Sequence, residues 1–130
     1  MDCGVNMASN KQIRLGPVAL SNTLTTNIVN PPTITGGTGL AGTNTATYLI
    51  IRHIRIVNKT AGSVTYSLYI GGTGANTAGT EFMGTSNVIA ANSFIDWYGQ
   101  LRLDTADFLV GGASAATSLT FQAEGELGVS

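Results

Sequence analysis

The chain holds one histidine, one cysteine and seven acidic side chains with which to do chemistry. His53 lies between Arg52 and Arg55, and any Ser–His–Asp or Cys–His arrangement would have to use it. No serine sits in a nucleophile-elbow pattern, so His53 reads as a strand histidine on a polar or interfacial face. The carboxylates are Asp2, Glu81, Asp96, Asp104, Asp107, Glu124 and Glu126. Glu124 and Glu126 share one face of an expected strand and so look like a hydrolytic pair. Such a pair must converge across a cleft, with one pKa raised by burial, and neighbours on a solvated face do neither. Asp104 and Asp107 could chelate a hard cation, but no third ligand at fixed spacing completes a calcium loop. Capping of a turn is the simpler role. The Gly-rich stretches 36–42 and 71–74 lack the Gly-Lys-Ser/Thr sequence and the following helix of a phosphate loop. Cys3 can close no internal disulfide and reads as an incidental free thiol. The expectation is a chain with no catalytic residue, no cofactor and no metal, hence not an enzyme.

Composition explains why candidates are scarce. Charged residues make up 10% of the 130 residues, against about 25% in ordinary soluble domains. The hydrophobic fraction of 43% suffices for one packed domain. A formal net charge of -1 gives no electrostatic footprint for nucleic acid and no polybasic patch for a membrane. The most apolar run, TYLIIRHIRIV, is interrupted by Arg52, His53 and Arg55 and falls short of the ~20 residues a membrane helix needs. The N-terminal sequence has no apolar core of a signal peptide, so a cytoplasmic site of synthesis is expected. Low charge leaves little repulsion between copies, and the neutral small-residue loops can be covered at little desolvation cost.

These residues must be positioned by strands. Residues 1–12 read as an extended N-terminal arm and 13–130 as one domain. A strand over 13–24 is broken by Gly16-Pro17, which implies an edge or a bend. A Gly/Thr-rich loop covers 33–46. Residues 48–57 form the strongest strand, rich in β-branched side chains. A turn over 58–63 leads to an alternating strand over 64–70, and the two together read as a β-hairpin. A loop over 71–80 is followed by short strands at 81–83 and 87–90. A turn at Ala91-Asn92 opens a strand over 93–98, which Gly99 and Gln100 separate from 101–103. A turn at 104–107 precedes a strand at 108–110. The last strand, 119–129, puts Leu119, Phe121, Ala123, Leu127 and Val129 on one face and Glu124 and Glu126 on the other. In the run FIDWYG, Phe94 and Tyr98 face opposite to Ile95 and Trp97, so both faces carry large apolar area. The pattern predicts an all-β fold: a single antiparallel β-sandwich or jelly-roll-like domain with an extended N-terminal arm.

Five segments in this order, IIRHIRIVNKT, VTYSLYI, NVIAANSFIDWYG, LRLDTADFLVGGASAAT and SLTFQAEGELGV, resemble small all-β virion proteins of tailed bacteriophages. The resemblance covers about two thirds of the chain and leaves out residues 1–46. It implies a structural part of the virion, assembled in the host cytoplasm, and carries no catalytic residues. On this reading the chain is a capsid decoration or cement protein. Its partners are the major capsid protein or other virion proteins, and it is itself a homo-oligomer, with a trimer among the options. The contact residues expected are Trp97, Tyr98, Tyr69 and the arm pair Ile13 and Leu15. A neck, collar, tail or baseplate component is the alternative. A second alternative is a carbohydrate-binding module with Trp97 and Tyr98 as stacking rings.

Overall fold

The computed structural model describes residues 11–30 and 46–129. The expected arm (apart from Lys11 and Gln12) and nearly all of the 33–46 loop lie outside them. Among the described residues there are eight strands: β1 Lys11–Ala19, β2 Asn27–Val29, β3 Ala46–Asn58, β4 Val64–Gly71, β5 Glu81–Ile89, β6 Phe94–Leu103, β7 Phe108–Ala113 and β8 Leu119–Val129. They form two four-stranded antiparallel sheets, ordered β1-β8-β3-β6 and β2-β7-β4-β5. The fold class expected from the alternating pattern is the one observed.

The pairs β1–β8, β2–β7, β3–β6 and β4–β5 nest within one another. The chain is folded in half about the β4–β5 loop, and the doubled ribbon then wraps on itself. This is the jelly-roll path. Every connection but β4–β5 therefore passes from one sheet to the other.

That path corrects the hairpin expected from residues 48–57 and 64–70, because β3 and β4 belong to different sheets. The cause is local. The side chain of Asn58 is fully buried, with Nδ2 directed at the carbonyls of Gly62 (2.9 Å), Ile89 (3.0 Å) and Ala90 (3.1 Å). Its Oδ1 accepts from the amide of Thr60 at 2.9 Å. The turn is thus fastened to the β5–β6 connection rather than folded back on β3. Alternation assigns a residue to a face of its strand; it carries no information about which sheet the strand joins.

Other boundaries shift for similar reasons. The two short strands at 81–83 and 87–90 are one strand, β5, distorted by left-handed backbone at Met83, Gly84 and Ser86. Gly99 and Gln100 do not interrupt β6. The strand holding Gly16 and Pro17 lies at a sheet edge, as expected, and its register with β8 slips between Leu15 and Val18.

The core lies between the sheets. Leu49, Ile51, Ile54 and Ile56 of β3 and Leu119, Phe121 and Ala123 of β8 face Leu68, Ile89 and Leu109 of the second sheet, all buried. Each such aliphatic side chain contributes about 1.5–3 kcal/mol by leaving water. Ser67 and Tyr69, on the other face of β4, are buried as well.

Candidate functional site

The outer face of the β1-β8-β3-β6 sheet gathers most of the chain's scarce charge. Its layout follows from register. Across the four strands, Arg14 lies opposite Glu124, Glu124 opposite His53, and His53 opposite Tyr98. One row on, Gln122 lies opposite Arg55, and Arg55 opposite Asp96. One row the other way run Gln12, Glu126, Ile50 and Arg102.

A bulge in β3 aligns these rows. Ile51 and Ile54 both face the core, so Arg52 and His53 are crowded together on the outer side, where the register slips against both neighbours. Gly125 makes room for it. A Cβ on Gly125 would come within 2.0 Å of the Ile50 carbonyl oxygen and 2.9 Å of Ile51 Cα, and only glycine permits that approach.

The result is a connected ladder. Arg55 clamps Asp96 with two contacts, Nε to Oδ1 at 2.8 Å and Nη2 to Oδ2 at 3.1 Å. His53 Nε2 is 2.7 Å from the same Oδ1, while Nδ1 is 3.2 Å from Glu124 Oε1. Arg52 reaches Glu126 at 3.1 Å. The Arg55 guanidinium lies 4.6 Å from the centroid of Phe94, and that of Arg102 lies 4.3 Å from Tyr48. The rings of His53 and Tyr98 stack at 4.6 Å. The hydrogen bond from Arg55, and then that from His53, hold the Asp96 carboxyl well below its ordinary range, at about 2. The reciprocal bond to Asp96 pushes Arg55 up.

Chemically, this ladder is closed on itself. Both ring nitrogens of His53 lie within hydrogen-bond distance of carboxylates, those of Asp96 and Glu124. Neither nitrogen is left to take a proton from a hydroxyl. A shallow trough of about 420 Å³ runs beside it, lined by Arg14, Arg52, Glu124 and Glu126 among others. Among the described residues, no three His, Cys, Asp or Glu side chains group as a metal ligand set. Asp104 and Asp107 cap their turn, with the Asp104 amide donating to Asp107 Oδ2 at 3.0 Å and Arg102 donating to Asp104 Oδ1 at 2.8 Å.

The five expected contact residues separate. Leu15 and Tyr69 are buried in the chain itself and offer no surface. Ile13 packs against the core from the edge strand. Trp97 also turns inward, meeting Phe82 of β5 edge-on at 5.2 Å and closing one open side of the sandwich. Leu15 and Tyr69 are thus corrected to packing roles, while Ile13 and Trp97 are half-buried against the core, since period-2 patterning does not say which of two apolar faces is the inner one. Tyr98 alone is outward, 72% exposed, with Phe94 on the same face at 53%. Spacing could not reveal the ladder, because Asp96 and Glu124 lie 43 and 71 residues from His53 along the chain.

No family model and no curated protein matches the chain. Among solved structures it is similar to the tobacco streak virus coat protein. In one crystal form the TM-score is 0.43 at 10% identity, over 93% of this chain and 86% of that one. For the coat protein dimer the TM-score is 0.45 at 11% identity, over 100% of this chain and 91% of that one. A likeness of this degree carries no functional argument.

Proposed function

We propose that this chain is a structural subunit of a virus particle, a small jelly roll that acts by binding protein at the outer surface of a capsid. The carrying observation is the exposed aromatic pair Phe94 and Tyr98 on a sheet most of whose charged groups are already paired with one another. Large exposed aromatic side chains are unusual on a monomer and typical of the centre of a contact. A self-satisfied ladder around them demands no counter-charge from a substrate and loses little when covered.

The fold supports the reading in a limited way. Eight-stranded jelly rolls occur in viral capsid proteins, lectins and cupins, and fold alone does not choose among them. The cupin type of site needs room inside the roll, whereas here Phe121, Ile51, Ile54 and Leu68 fill that space. The lectin type of site needs ring faces. Trp97 is turned inward and His53 covers one face of Tyr98, so the two-ring platform is reduced to one side of one ring. The resemblance to tailed-phage virion proteins rests on five segments of the sequence and supports a structural part of the virion; a decoration or cement role is the reading adopted, with a neck, collar or tail role as its alternative.

The test is mass spectrometry of purified particles from the source. Hundreds of copies per particle fit the decoration role, and a dozen or fewer moves the chain to a neck or tail site. Absence of the polypeptide from the particles sinks the proposal.

A further inference from the structure

The four sheet edges are not alike. β1 carries Pro17 and a register slip, so it lacks a donor in mid-strand. β2 is only 3 residues long. β5 bends through left-handed backbone at Met83 (φ 69°), Gly84 (φ 88°) and Ser86 (φ 53°). Short length, proline and bulges are the usual means by which proteins blunt an edge against another chain. β6 is neither short nor interrupted by proline, and its one irregularity is the register slip against β3 between Tyr98 and Leu101, where β6 holds one residue more. It runs for 10 residues, contains no proline, shows no left-handed backbone, and among the described residues has no strand on its far side. It is also the strand that bears both Phe94 and Tyr98.

We infer that β6 pairs antiparallel with β6 of a second copy of this chain across a twofold axis at Tyr98, joining two sheets into one of eight strands. The occupant follows from the strand's own sequence. An antiparallel pairing about Tyr98 sets Tyr98 against its twin and Asp96 beside the second copy's Gln100. It also sets Phe94 beside the second copy's Arg102. The last pair repeats a contact these guanidinium groups already make within the chain, Arg55 on Phe94 and Arg102 on Tyr48. Shifting the axis to Asp96 would instead oppose two carboxylates, which disfavours that register. The net charge of -1 opposes association only weakly. A twofold contact of this kind is self-complementary, and the backbone ladder supplies affinity while the outer-face side chains fix register.

The inference does not depend on the particle reading, and its test is separate. Sedimentation of the purified chain over a concentration series reaching several hundred micromolar should give a monomer–dimer equilibrium. Tyr98→Lys and Phe94→Lys should each raise the dissociation constant about tenfold or more, while Asn76→Lys in the β4–β5 loop leaves it unchanged. In a Cys3→Ser background, Tyr98→Cys should form a disulfide-linked dimer on mild oxidation. On the wild-type chain, amide exchange along β6 should slow as concentration rises, a readout that needs no variant to fold. A monomer at every concentration overturns the inference. So does a dimer that is indifferent to both lysine variants, or one whose formation leaves β6 exchange unchanged.

Discussion

At the scale of single residues, Asp96 and Asn58 carry the largest polar responsibilities. Asp96 answers to both Arg55 and His53, and its carboxyl titrates near 2 instead of 3.8. A group whose folded pKa is depressed stabilises the fold above its unfolded pKa and loses that effect as pH falls through the folded one. The contribution of Asp96 is therefore complete above about pH 4 and disappears toward pH 2. Carboxyl-carbon NMR should place its midpoint near 2. Asp96→Asn should flatten the acid limb of a denaturant midpoint-versus-pH curve in that window. Asn58 is the other case. Replacing it with alanine removes its donors from the Ile89, Ala90 and Gly62 carbonyls, the last two of which keep the Ser93 and Thr60 hydroxyls, and takes the acceptor from the Thr60 amide at the crossing between sheets. The expected loss is about 1–3 kcal/mol, read from the urea midpoint.

At the scale of elements, the sequence was most informative where one face was buried and the other wet. β8 follows its expected faces from Leu119 through Leu127, with glutamates outside and aliphatics within. β6 likewise keeps Phe94 and Tyr98 opposite Ile95 and Trp97, although which face was inner could not be read from residue types that are large and apolar on both. What alternation could not supply was the partner of each strand. The β3–β4 junction looks like a hairpin in sequence because the hairpin and the crossing have the same local pattern and similar loop length. The difference lies in where the Asn58 amide finds its carbonyls, and those are 31 and 32 residues away. Two substitutions test the packing that resulted. Gly125→Ala forces its new methyl against the Ile50 carbonyl and should cost about 1–3 kcal/mol, unless β3 gives up its bulge. Trp97→Ala opens the side of the sandwich sealed with Phe82 and should cost about 2 kcal/mol, less than a fully enclosed tryptophan. Both are read by thermal or chemical denaturation.

At the scale of the whole molecule, the crossings between sheets are fastened together in pairs at one end. The Leu20 amide donates to Leu119 and the Ala113 amide to Ser21, tying the β1–β2 and β7–β8 connections. The Asn58 amide donates to Ser93 and the Asn92 amide to Thr60, tying β3–β4 to β5–β6. Strands far apart in sequence must therefore meet before either turn is held, which is the topology that folds slowly, in milliseconds to seconds. It also makes the last strand indispensable. β8 lies between β1 and β3, so a chain ending at Ser118 loses the middle of one sheet. That truncation should give no near-UV circular dichroism and no cooperative melt.

The pairing of β1 with β8 has a mechanical consequence. Lys11 lies opposite Leu127 and Ala19 opposite Thr120, so the beginning of one strand and the end of the other leave the sheet side by side. Hydrogen bonds in an antiparallel ladder run across the strands. Tension applied between Lys11 and Leu127 would therefore peel those bonds open one after another, like a zipper. The same load applied between Ala19 and Leu127 would pull the strands lengthwise and strain many bonds at once. Tethered through the first pair in an optical trap, the molecule should yield at a markedly lower force than when tethered through the second.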